Sequence, residues 1–157
     1  MFSQTVEYAL RAMAYIASRE GTGATSTTDE IAAATKTPKA YLSKVLQNLS
    51  RAGLVTTQRG LGGGVALSRK SDQVTILDVV NAVDPIRRIT TCPLELKSHG
   101  SNLCPLHRRL DQALAMVENA FRSTTLAEIL AEPSSSVPLC ESLNLHDALK
   151  TASESSD

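Results

Sequence analysis

Leu42, Val45, Leu46 and Leu49 recur at the i, i+3, i+4, i+7 spacing of a helix with one buried face. Thr37 is a candidate N-cap for that helix, with Pro38 at the first helical position, where a missing N–H costs nothing. Gly53, after Arg51-Ala52, is its stop. Upstream, Thr27-Thr28-Asp29-Glu30 sets a Thr three residues ahead of a Glu, the capping-box signature, and predicts a short helix over Ile31 to Ala34. Downstream come a β-rich run, Leu54 to Gln58, a glycine-rich tip, Arg59 to Gly64, and a second apolar run, Val65 to Ser68. Helix, tight turn, helix and two-stranded wing is the order of a winged helix-turn-helix.

The rest of the pattern is helical. Val6, Leu10, Met13 and Ala17 form the buried stripe of a first helix over about Ser3 to Ser18. Thr75 to Val83 predicts a short helix with Ile76, Val79, Val80 and Val83 inward, broken by Asp84-Pro85. Ile86 to Asn102 contains Pro93, Ser98, Gly100 and Ser101, has no clear period, and reads as a long loop, a kind of segment that is usually functional or disordered. From Pro105 an apolar seam of Leu106, Leu110, Ala113, Leu114, Val117 and Phe121 predicts a long helix. That seam fits packing on its own domain or on a twin, and a two-fold pair would match a palindromic site. A final short helix spans Thr125 to Ala131, followed by a linker, Glu132 to Pro138, and a small polar end. The fold class expected is mainly α with a small β-hairpin wing.

Composition narrows this further. Aromatic residues are 3% of 157 and Trp is absent, so the core must be built from Ala, Leu, Val and Ile. The net charge is zero, which argues against a general nucleic-acid coat. The zero hides an asymmetry: residues 1–70 hold nine Lys/Arg against four Asp/Glu, and residues 71–157 hold seven against twelve. From Lys36 to Lys70 there are seven basic residues and no acid. With the four aliphatic residues of the second helix turned inward, its other face shows Lys39, Ala40, Ser43, Lys44 and Gln47, with Thr37 at its start and Tyr41 at its margin. Such side chains suit phosphates and base edges in a major groove, while Arg59, with Gly60 at the wing tip, suits a minor groove or its phosphates. A merely solvated helix face is the bland alternative, and the absence of any acid weighs against it.

No stretch reaches transmembrane length, and the N-terminal residues lack the basic-then-apolar order of a signal peptide, so no membrane partner is expected. Three cysteines without a dense framework point to a reducing cytoplasm. Cys92 and Cys104, with eleven residues between them across the loop, and His107, one helical turn beyond Cys104, are ligand types for iron–sulfur centres and zinc. Taken alone, they fit a metal site or ordinary thiols. Cys140 lies in the tail as a spectator, a resolving cysteine or a substitute ligand. His146 reads as a surface residue. Glu7, near the start of the first helix, is most simply a partner for the helix dipole.

The run AYLSKVLQNLSRAGLVTTQRGLGGGVALSRK resembles the recognition helix and wing of the small bacterial winged-helix transcriptional regulators of the IscR/NsrR family. SQTVEYALRAMAYIAS is similar to their first helix, and CPLHRRLDQALAMVENAFRSTTLAEIL to the end of their cluster loop and their dimerisation helix. The resemblance covers roughly Met1 to Ala131. It implies a homodimer on double-stranded DNA and a division into a reading head (1–84), a sensor loop with dimerisation helix (85–131) and a flexible tail (132–157). It also implies an iron–sulfur cluster, 2Fe–2S favoured, on Cys92, Cys104 and His107, with Glu7 from the partner's first helix. Cluster-binding members carry a third loop cysteine, which would fall at Ser98. That departure leaves a cluster-less thiol sensor of the same fold as the alternative.

An enzyme using GLGGG as a phosphate loop is excluded at its motif: Gly64 is followed by Val65-Ala66-Leu67, where a P-loop needs Lys-Ser or Lys-Thr opening a helix. A winged helix that binds another protein, its basic face incidental, is the third class, and salt-dependent binding of duplex DNA separates it from the first.

Overall fold

The computed structural model describes residues 2–93 and 102–133. Ser98, Cys140, His146 and the tail beyond Pro133 lie outside them. Eight elements follow in order: α1 (Gln4–Ser18), α2 (Thr28–Thr35), α3 (Lys39–Arg51), β1 (Val55–Gln58), β2 (Gly64–Leu67), α4 (Ile76–Val83), α5 (Pro105–Arg122) and α6 (Leu126–Ala131). A 3-10 turn over Ser71–Gln73 precedes α4.

α1 is the hub, packed against α2, α3, α4, α6 and β2. It buries Val6, Ala9, Ala12, Met13, Tyr15, Ile16 and Ala17, a stripe wider than the one expected, and Leu10 lies half-buried at its edge. Three alanines on that face let the neighbouring helices approach closely, which is how a chain poor in aromatics still fills its core. On α3 the expected Leu42, Val45, Leu46 and Leu49 are the buried residues. On α4 the buried side chains are Leu77, Val79 and Val80, while Ile76 and Val83 are half-buried.

Side chains at the helix starts satisfy amides that helix geometry leaves unpaired. The Thr27–Glu30 capping box closes as expected, and the same reciprocal pattern stands at Thr75–Asp78 and Thr125–Glu128. The start of α3 differs from expectation. Lys36 turns into the left-handed region (φ 51°) and the Thr37 amide donates back to Ala32 O, ending α2 in a Schellman turn. Thr37 is thereby buried, its hydroxyl 2.8 Å from that of Thr35. Pro38 takes the N-cap position instead, its carbonyl accepting from the Tyr41 and Leu42 amides.

β1 and β2 pair antiparallel from Val55↔Leu67 to Gln58↔Gly64, and Ser26 adds a bridge to Val65 on the other edge. After α5 the chain returns to the core around α1. Leu126 enters the main core, and Thr125 bridges to Thr75.

Candidate nucleic-acid interface and sensor loop

The exposed face of α3 and the wing enclose a cleft of about 430 Å³ lined by Ser43, Gln47, Ser50, Arg51, Thr57 and Arg59, with Thr28 from the start of α2. Three of these, Ser43, Gln47 and Arg59, are expected contacts now brought to one place. Thr28, Ser50, Arg51 and Thr57 were not anticipated. Their signal was present for α3: Ser43, Gln47, Ser50 and Arg51 follow helical spacing down one face. Thr28 joins them through tertiary folding.

The other expected contacts divide. Lys44 is exposed. Lys39 is exposed and its Nζ lies 2.7 Å from Asp29 Oδ1, so part of its charge is directed at α2. The Ser43 hydroxyl donates to Lys39 O at 3.0 Å. Tyr41 is 60% exposed and its ring is tilted 58° to that of Tyr8, centroids 6.1 Å apart. Gly60 holds φ +100° at the tip beside exposed Arg59. Thr37, at 4% exposure, cannot present its side chain to a groove, because the turn between α2 and α3 consumes it.

The candidate sensor end is built on α5. Cys104 is its N-cap residue and Pro105 begins it. Cys104 Sγ lies 3.3 Å from His107 Nδ1, one turn on. Sulfur and nitrogen ligands with bonds of about 2.3 and 2.0–2.1 Å on one tetrahedral centre stand about 3.5 Å apart, so this pair fits a common metal. Cys92 is buried, at 7% exposure, and among the described residues no three His, Cys, Asp or Glu side chains converge. Glu7 is exposed on the first turn of α1, its Oε2 accepting from Arg11 at 3.0 Å. One chain therefore brings together two of the four expected ligands.

The approach to Cys92 is not shapeless. Arg88 grips Asp111 of α5 through Nε and a terminal nitrogen at 2.7 and 2.6 Å and reaches Glu118 at 3.5 Å. The Ile89 amide adds a bond to Asp111 Oδ1 at 2.9 Å. The guanidinium and this amide hold the Asp111 carboxyl below its ordinary value.

α5 buries no residue fully in the described chain. Leu106 (64%), Leu110 (48%) and Met116 (73%) are exposed. Phe121, expected in the same seam, instead packs on Phe2 of its own chain, ring centroids 5.1 Å apart.

Residues 2–132 match the Rrf2 family, described as "Iron-dependent Transcriptional regulator". The chain belongs to the Rrf2 family. Its members are transcriptional regulators and not enzymes. A putative HTH-type transcriptional regulator of Aquifex aeolicus (strain VF5) is 29% identical over 133 residues, covering 83% of this chain and 91% of that protein. Among solved structures, CymR (YrzC), the global cysteine regulator of B. subtilis, superposes with a TM-score of 0.70 at 23% identity, covering 85% of this chain and 98% of that one. IscR of T. potens does so with a TM-score of 0.69 at 21% identity, covering 87% and 93%. These likenesses establish the winged-helix fold with its two-stranded antiparallel hairpin. Among the described residues, no helix is long and apolar enough to cross a membrane.

Proposed function

We propose that this Rrf2 protein is a cytoplasmic, homodimeric regulator that reads a palindromic operator and whose affinity is set by the state of the Cys92–Cys104 loop. The observation that carries the DNA reading is the cleft between α3 and the wing, where Ser43, Gln47, Arg51 and Arg59 converge in a stretch without a single acid. Lys39, Tyr41 and Lys44 extend that surface, and Arg59 with Gly60 reaches the minor groove. Arg59→Ala costs on the order of 1–3 kcal/mol in specific binding on this reading.

For the sensor, Cys92, Cys104 and His107 would hold an iron–sulfur cluster, completed by Glu7 of the partner subunit. The Cys104–His107 separation supports that set. Such a cluster, when bound, supplies an electron-accepting centre whose potential rises with nitrogen and oxygen ligation. The protein's own part is mechanical. α1 carries Glu7 at one end and packs on α3 and β2, so a change in how α1 is held alters the spacing of the two reading heads without any ligand touching DNA. Ser98, in the middle position where cluster-binding members carry a cysteine, supports the second reading, a cluster-less regulator that senses redox state through its thiols.

Protein purified without air, with iron and sulfide assayed on the sample that gives the visible spectrum, separates the two. Cys92→Ser and Cys104→Ser should each abolish visible absorption and change operator affinity, and Cys140→Ser should do neither. A colourless, iron-free wild type replaces the cluster with the thiol switch. Salt-independent or absent binding to duplex DNA overturns the regulator reading altogether.

A further inference from the structure

Leu61 is the most exposed large apolar residue of the described chain, at 109% relative exposure, and it stands at the tip of the wing. An isolated leucine on a protein surface is ordinary. The way this one is held is not. Gly60 and Gly62 on either side adopt φ +100° and +77°, a conformation that side-chain-bearing residues rarely take. The Gly63 amide donates to Gly60 O at 2.9 Å and closes the turn. A Cβ on Gly63 would fall 2.5 Å from Gln58 O, so the tip is packed backbone on backbone. From outside the hairpin, the Thr25 hydroxyl donates to Gly62 O at 3.0 Å. Three glycines and a long-range hydrogen bond thus hold one aliphatic side chain away from the core.

We propose that Leu61 is an apolar contact to the minor groove of duplex DNA, pressed against sugars and base edges beside Arg59. This rests on the DNA-binding reading above and adds a residue and a mode of recognition to it. DNA is the occupant that the neighbourhood selects: Leu61 stands two residues after Arg59, across Gly60, in a stretch of seven bases and no acid from Lys36 to Lys70. An apolar protein partner would have no use for that charge. A minor groove has walls of sugar C–H and a floor of acceptors, which matches a leucine with an arginine two residues away on the same tip. Aliphatic side chains lodged there act as wedges at deformable base steps and read shape where hydrogen-bond information is poor. Arg59 neutralises phosphate and releases counterions; Leu61 does not.

That difference provides the test. The full-length protein is titrated at several salt concentrations against a duplex selected from random sequence, with 2-aminopurine placed in the flanking minor groove. Leu61→Ala should weaken binding about tenfold, the loss of one well-buried aliphatic contact. It should leave the slope of log affinity on log salt unchanged and abolish the 2-aminopurine response. Leu61→Met, of similar volume, should keep both affinity and response. Arg59→Ala should lower the slope by about one per protomer. Wild-type affinity and response in Leu61→Ala overturn the inference, as does a slope reduced to the Arg59→Ala value. Unchanged DNA binding with a changed oligomeric state would assign Leu61 to a second copy instead. If the wild type selects no duplex, the regulator reading fails first, and this inference with it.

Discussion

Gly62 and Gly63 are adjacent, both sit in the wing tip, and the structure asks different things of them. Gly62 needs a positive φ but has open space where a side chain would go. Gly63 has an ordinary φ but no space, with Gln58 O, Arg59 C and Gly60 O all within 3 Å of its would-be Cβ. Asn enters the left-handed region more readily than other side-chain-bearing residues, so Gly62→Asn should be tolerated. Gly63→Ala must push backbone apart, at about 1–3 kcal/mol, as overpacking does. The expected outcome is operator affinity retained in Gly62→Asn and reduced in Gly63→Ala, with thermal unfolding of the rest of the domain little changed. Equal losses in both would mean that tip geometry is not what the wing contributes. The sequence GLGGG marks this tip plainly; which glycine serves conformation and which serves contact does not appear in it.

α3 and α5 have nearly the same spacing of apolar residues and opposite fates. The stripe of α3 is buried by α1, β1 and α4, whereas α5 leaves Leu106, Leu110 and Met116 in solvent. A row of aliphatics on an 18-residue helix is expected to be covered, and the proposed dimer would cover it with a second copy of the same helix about a two-fold axis. Replacing Leu110 and Val117 with Glu places like charges against each other across that axis, which is costly without partners. Light scattering should then report monomers, and a persisting dimer would move the interface elsewhere. Phe121 is the limit of that seam, because Phe2 already covers it. Helix starts were more legible than they first appear: the Thr-x-x-Asp and Thr-x-x-Glu signatures at Thr75 and Thr125 are as explicit as the one at Thr27.

Across the whole molecule, Arg88 joins the stretch before Cys92 to the middle of α5. Asp111, held below its ordinary value by this guanidinium, contributes stability that is complete above the ordinary aspartate value of about 3.9 and declines as pH falls through the lowered one. Acidification should therefore release the Arg88 attachment, and so should Arg88→Ala at neutral pH. The protection of the Ile89 amide, which donates to Asp111, measured against the intrinsic exchange rate at the same pH, should fall in both cases. An unchanged rate at Ile89 in Arg88→Ala would show that the backbone holds this stretch without the side chain. A strap anchored in this way also limits where Cys92 can move relative to Cys104, which bears on either reading of the sensor.

The order of elements, the aliphatic faces of α1 and α3, the wing and the acid-free basic stretch were determined by the sequence itself, because local spacing and composition are sufficient for them. Cys104 and His107 were paired by the same logic, one helical turn apart. Tertiary structure decided the rest. Thr37 was lost from the candidate interface because the Schellman turn buries it, and a capping residue and a turn residue look alike in sequence. Thr28, Ser50, Arg51 and Thr57 joined Arg59 because α2, α3 and β1 meet at one cleft. Arg88 found Asp111 across 23 residues of chain, a distance over which charge pattern carries no register. Contacts within a turn of helix are set by periodicity; contacts between elements are set by which faces the core brings together.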